Sequence, residues 1–193
     1  MLTRCCFFFL MGFATPAAAA DLREPPPTAP VAQPSPRSFL SEIRVGGSIQ
    51  DPSGPENGSG NITGEVVFAR AFQSPDPGLN LLIPRVHLGG SANLGGRTSF
   101  AYAGFTWALE IGKAFLEGTL GGAAHNGDVG RTDLSPHAAA LGCPAVFRES
   151  ATAGFRFTQH WSAMVTLEHL SNAGLCRQNR GLTNVGLRIG YTF

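Results

Sequence analysis

Apolar and polar residues alternate with a period of two along most of the chain, and no helical stripe of apolar positions emerges after residue 38. Alternation of this period marks strands that bury one face. It is cleanest near the C-terminus. In WSAMVTLEHLSN the odd positions are Trp161, Ala163, Val165, Leu167, His169 and Ser171, and the even positions include Ser162, Thr166, Glu168 and Asn172. In LTNVGLRIGYTF, Val185, Leu187, Ile189, Tyr191 and Phe193 oppose Asn184, Gly186, Arg188 and Gly190. The stretch 145–157 sets Phe147, Ala151, Ala153, Phe155 and Phe157 against Arg148, Ser150, Thr152 and Arg156. Clusters of Gly, Asn, Asp and Pro divide the chain into eight expected strands at 39–49, 63–72, 79–90, 98–109, 113–123, 145–157, 161–172 and 182–193. Strand 63–72 alternates least well, and Arg70 fits neither of its faces.

One face of these strands is apolar and aromatic, while the other carries Glu42, Arg44, Arg85, Arg148, Arg156, Glu168 and Arg188 among glycines. A soluble sandwich would turn the apolar face inward. A membrane barrel turns it towards lipid and pairs the charges in its lumen. The strand lengths suit a tilted bilayer crossing, and the chain ends on an aromatic strand at Phe193. The reading is therefore an all-β fold, an eight-stranded antiparallel transmembrane β-barrel in an outer membrane. An even strand count puts both barrel ends on one side, which secretion makes periplasmic. The connections at 73–78, 110–112 and 158–160 then face the periplasm, and those at 50–62, 91–97, 124–144 and 173–181 face outside.

The N-terminus explains how the chain reaches that membrane. Residues 1–20, MLTRCCFFFLMGFATPAAAA, have a basic n-region, a short apolar core and an Ala18-x-Ala20 cleavage pattern, as in a signal peptide. Residues 21–38 contain six prolines and read as a disordered tether, so the barrel is expected over 39–193. After cleavage Cys143 and Cys176 remain, in an oxidising compartment and at the same outer end of the fold, as a disulfide candidate. The net charge of +1 gives no reason to expect nucleic acid. Thirteen of the 14 basic residues are Arg, the side chain whose planar fork suits phosphate and carboxylate.

Chemistry gathers in VTLEHLSNAGLCRQNR. His169 and Ser171 share the lipid-facing side of the seventh strand near its outer end. A serine nucleophile needs a base, and the base needs a partner to fix its tautomer. With the hairpin turn centred on Gln159, Glu149 falls opposite His169 and is the candidate acid. Glu168 is nearer in sequence but faces the lumen by alternation. Asn172, or N–H groups of the Ala173–Gly174 turn, are candidate oxyanion donors. The bland alternative is that His169 and Ser171 sit in the headgroup layer with no catalytic role. Loop residues His125, Asp128, Asp133 and His137 match no metal-ligand spacing, and no metal or cofactor is expected.

HLSNAG, followed by NRGLTNVGLRIGYTF at the end of the chain, resembles the C-terminal signature of the outer-membrane lipid A 3-O-deacylases of the PagL type, the acyloxyacyl hydrolases. The specific part covers residues 145–193. The resemblance implies an eight-stranded barrel with Ser171 as nucleophile, His169 as base and Asn172 at the oxyanion. It implies lipid A or lipopolysaccharide as substrate in a Gram-negative outer membrane, with Arg131, Arg177 and Arg180 near its phosphates and Val165 and Leu167 along an acyl chain. The family's acid stands fourteen residues after the histidine, where this chain has Thr183. That leaves Glu149, or a Ser–His dyad. Rival readings are a non-catalytic structural barrel, and a phospholipase or acyltransferase on the same scaffold. A homodimer is left open.

Overall fold

The computed structural model describes residues 38–130 and 138–193. The expected signal segment, nearly all of the proline-rich tether, and Arg131, Asp133 and His137 lie outside the described residues. Eight strands run in order: β1 (Leu40–Gln50), β2 (Ser59–Phe68), β3 (Arg85–Asn93), β4 (Phe100–Ile111), β5 (Ala114–His125), β6 (Ala145–Arg156), β7 (Trp161–Ser171) and β8 (Leu182–Thr192). Each pairs antiparallel with its neighbour, and β1 closes on β8 with Glu42 opposite Thr192 and Gln50 opposite Asn184. The barrel is closed, so no strand edge is left unpaired.

Alternation turns charge inward and apolar side chains outward. Arg44 bonds Glu42 at 2.8 Å, Glu65 at 3.2 Å and Glu117 at 2.6 Å. Arg85 reaches Glu117 at 2.6 Å, and Arg148 holds Glu168 at 2.7 Å. Arg188 lies between Glu65 at 3.3 Å and Glu168 at 3.6 Å. The Arg148 guanidinium stacks over the Tyr102 ring at 3.7 Å, and the Tyr102 hydroxyl donates to Glu65 at 3.0 Å. Four arginines thus meet four glutamates, which neutralises a lumen where an unpaired charge would be costly. Outside, Val45, Leu88, Phe105, Leu120, Leu167 and Leu187 are exposed side chains of the wall. Trp161, Tyr191 and Phe193 pack edge to face at the rim where the barrel's two ends meet, as in an aromatic girdle. Arg156, expected in the lumen, is instead only partly buried at the strand end, where it pairs with Glu110.

Two strands depart from the expected spans. β2 covers residues 59–68 rather than 63–72, and β3 covers 85–93 rather than 79–90. Between them a short helix α1 (Pro77–Leu82) begins at Asp76, whose side chain accepts from the Gly78 N–H at 2.8 Å. Pro77 at its first position has the φ that a helix start needs. Arg70 lies beyond β2, and its Nε donates to the Ile83 carbonyl at 2.9 Å, which removes the conflict over its face.

At the opposite rim the long connection after β5 folds back into the mouth. Ala139 and Leu141 are fully buried there with Phe100, Tyr102, Val146, Leu170 and Leu182. The Ala139 N–H donates to Glu56 at 3.0 Å, and the Cys143–Cys176 disulfide ties this connection to the one between β7 and β8. The expected disulfide is therefore present.

Candidate active site

β7 carries the site because its alternation is unbroken to its last residue. Glu168 and Leu170 are buried inward, so His169 and Ser171 stand on the outer wall, each half-buried. From Trp161 to His169 is eight residues, about 26 Å along a strand and about 20 Å along the normal at the usual tilt. An apolar band about 25 Å tall therefore ends near His169. In a bilayer that height is where acyl chains give way to headgroups.

Three neighbours define the imidazole's seat. β8 places Thr183 opposite His169, and the Thr183 Oγ1 lies 2.8 Å from His169 Nδ1. Gly181, at φ +68°, lies beneath the ring, and a Cβ there would stand 2.7 Å from Cε1 and 3.2 Å from Nε2. β6 places Glu149 opposite His169 in the hairpin register read from the turn. The Glu149 side chain is exposed, and no hydrogen bond or ion pair within the described residues holds it. With Nδ1 engaged by a hydroxyl, Nε2 is the nitrogen left for a reacting proton. The Ser171 hydroxyl has no hydrogen-bond partner among the described residues, so it is free to meet a substrate.

Asn172 is buried and faces inward. Its Nδ2 donates to the Leu141 carbonyl at 2.8 Å and to the Gln178 carbonyl, and its Oδ1 accepts from the Gly174 N–H at 2.8 Å. Its backbone N–H donates to Asn179 Oδ1 at 2.9 Å. The Asn172 amide thus binds three chain segments together. The Ala173 N–H and the Asn179 Nδ2 remain without partners among the described residues. Ala173 has φ +51°, the left-handed region that a non-glycine residue occupies at some cost.

The surroundings suit a lipid. Val165, Leu167, Val185 and Leu187 form an exposed apolar wall below His169. On the other side of Ser171, a groove of about 340 Å³ is lined by Gly121, Gly122, Phe147 and Leu175. Arg177 and Arg180 are exposed on the neighbouring loop. Of the residues weighed as a cation site, Asp133 and His137 lie outside the described residues; His125 Nε2 is 2.6 Å from the Cys143 carbonyl oxygen, and Asp128 bridges to Ala140.

Sequence reasoning missed Gly181 and Asn179. Both lie in the polar run CRQNRG, where Gly and Asn read as ordinary loop punctuation. Only the packing of Gly181 against the ring, and of Asn179 against the Asn172 N–H, sets them apart.

A closed barrel with a charged lumen, an apolar outer wall and an aromatic girdle defines a transmembrane β-barrel protein. The model of the family "Lipid A 3-O-deacylase (PagL)" matches residues 60–192. The chain belongs to that family, whose members are ester hydrolases. Among solved structures, the crystal structure of the outer membrane enzyme PagL is 18% identical, covers 79% of this chain and all of its own, and superposes with a TM-score of 0.61. The N-terminal β-barrel domain of Pseudomonas aeruginosa OprF is 12% identical, covers 80% of this chain and 98% of its own, with a TM-score of 0.54. A de novo designed transmembrane β-barrel is 14% identical, covers 80% of this chain and 96% of its own, with a TM-score of 0.50. At these identities the structural likeness establishes the fold alone. No curated protein matches the chain.

Proposed function

We propose that this chain hydrolyses the 3-linked acyl ester of lipid A, with Ser171 as nucleophile and His169 as base. The carrying observation is the outward His169–Ser171 pair at the edge of the apolar band, with His169 Nδ1 fixed by Thr183. The barrel sits in the outer membrane with both ends periplasmic and the site at the outer leaflet. The acyl carbonyl comes to Ser171, and the scissile chain lies in the groove by Phe147 and Leu175. Arg177 and Arg180 take the phosphates.

His169 Nε2 accepts the Ser171 proton as Oγ attacks the carbonyl carbon. The developing oxyanion is met beside Asn172, by the Ala173 N–H and by Nδ2 of Asn179, whose Oδ1 accepts from the Asn172 backbone N–H. Collapse breaks the bond to the glucosamine 3-oxygen, which leaves with the proton from His169. Water then attacks the acyl-enzyme and gives a proton to His169, which passes it to Ser171 Oγ as the bond to the acyl carbon breaks and the fatty acid is released. Glu149 faces His169 across the hairpin and stabilises the imidazolium by charge, since Nδ1 already bonds to Thr183. A purely structural barrel has no use for an outward imidazole held by a hydroxyl.

Mass spectrometry of lipid A after expression in a Gram-negative outer membrane tests this. Loss of one 3-linked acyl chain is expected, and Ser171→Ala and His169→Ala should each abolish it. Intact lipid A alongside a folded wild-type barrel would refute the reading. Shortened glycerophospholipid instead would reassign the site to a phospholipase.

A further inference from the structure

The missing last-strand carboxylate has a second candidate. Four residues stand in one row across the wall: Glu149 on β6, His169 on β7, Thr183 on β8, and Asp51, the residue that follows β1. Because Gln50 pairs with Asn184, the next residue out on β1 falls opposite Thr183. The Asp51 carboxylate meets it there, with Oδ1 3.5 Å from the Thr183 nitrogen.

Several features hold that carboxylate in place. Asp51 is 6% exposed. Its Oδ2 accepts from the Glu56 N–H at 3.2 Å, and its own N–H donates to Asn184 Oδ1 at 3.3 Å. No cation pairs with it among the described residues, so its charge is met by peptide dipoles alone. Gly54 packs so closely that a Cβ there would lie 2.0 Å from Oδ2. Asp51 also has φ +45°, and together with Ala173 it is one of two described non-glycine residues with positive φ. The two lie near the same site, Ala173 in the connection that follows β7 and Asp51 beside β8 after β1, as strained residues at functional sites do.

We propose that Asp51 is a positioning residue for His169, acting through Thr183. Its negative charge polarises the threonine between it and the ring, and its bond to the Thr183 N–H fixes where Oγ1 meets Nδ1. The arrangement does through one intervening residue what a triad acid does directly. Among the described residues, register and sequence place three charged groups around the ring: Glu149 from β6, Asp51 behind Thr183 from the β1 end, and Arg180, adjacent in sequence to Gly181, from the loop before β8. Glu168, on β7 itself, faces the lumen, where Arg148 holds it. This rests on Ser171 and His169 being the reacting pair.

The test is steady-state hydrolysis of purified lipopolysaccharide in detergent micelles, following released fatty acid in the wild type and in Asp51→Asn, Thr183→Val, the double variant and Thr183→Ser. Asparagine tolerates positive φ and keeps one acceptor oxygen, so Asp51→Asn removes the charge together with one of the two bonds accepted from the Thr183 and Glu56 N–H groups. It should lower kcat about 10- to 100-fold with KM unchanged, less than direct loss of a triad acid. Thr183→Val should do the same, the double variant should fall no further than either single one, and Thr183→Ser should retain turnover. Wild-type kcat in Asp51→Asn, or additive losses in the double variant, would overturn the proposal. If Asp51→Asn does not fold, Gly54→Ala displaces the carboxylate without removing it. A loss of kcat there that vanishes in a Thr183→Val background supports the relay, and unchanged kcat overturns it. Ser171→Ala separates the two readings: turnover surviving it overturns both, whereas its loss with Asp51→Asn unaffected overturns only this one.

Discussion

Gly181→Ala probes the seat of the imidazole without replacing any side chain of the proposed reacting pair. The new methyl would lie 2.7 Å from His169 Cε1, and ordinary contact begins near 3.4 Å, so ring or backbone must retreat by about 0.7 Å. The same substitution places alanine at φ +68°, at a stability cost of about 1–2 kcal/mol. Gly96→Ala supplies the control, because Gly96 has φ +71° and nothing within 4 Å of the added methyl. Both variants should therefore lose similar stability, read as a lower temperature for the heat-induced shift in electrophoretic mobility. Only Gly181→Ala should lose turnover. A displacement approaching 1 Å at a reacting group costs up to about 100-fold, so its kcat on lipopolysaccharide micelles should fall about 10- to 100-fold. A Gly181→Ala enzyme with the kcat of Gly96→Ala would refute the argument that this glycine sets the position of the ring.

Three further outcomes follow from the same structure. Cys143→Ser with Cys176→Ser frees a loop closed over a separation of 33 residues, and should lower unfolding free energy by at most about 4 kcal/mol, measured by urea titration in lipid vesicles. Arg44→Met leaves Glu42, Glu65 and Glu117 short of a partner they share, and should cost about 3–5 kcal/mol in the same assay. Leu187→Arg puts a charge on an exposed wall position and should cost about 2–4 kcal/mol in a bilayer if that wall faces lipid; no change would argue that it faces water.

The C-terminal half of the barrel was plain in the sequence because its two faces differ so sharply there. β6, β7 and β8 begin where alternation begins and end within a residue of where it fails. β2 was misplaced for a physical reason. Its outer half, SGNIT, reads as a turn, yet Asn61 donates to Ser48 at 2.9 Å and accepts from Asn93 at 2.8 Å inside the lumen. Polar residues that line a barrel look like loop residues when only the sequence is in view. At the site, alternation and motif placed His169, Ser171 and Glu149 on one wall and Glu168 on the other. Asp51 was hidden because its proximity to Thr183 arises from closure of β1 on β8, a contact that spans 132 residues. Periodicity carries no information about which distant strand end meets which.

The outward placement of His169 and Ser171 has a kinetic consequence. The lumen is filled by ion pairs and its mouth is covered by Leu141 and its neighbours, so neither lipid nor fatty acid passes through the barrel. Encounter is lateral, by diffusion within one leaflet. Turnover should then follow the mole fraction of substrate in the surface rather than its bulk concentration. Inert detergent added at constant total lipopolysaccharide would slow the reaction simply by spreading the substrate thinner in two dimensions.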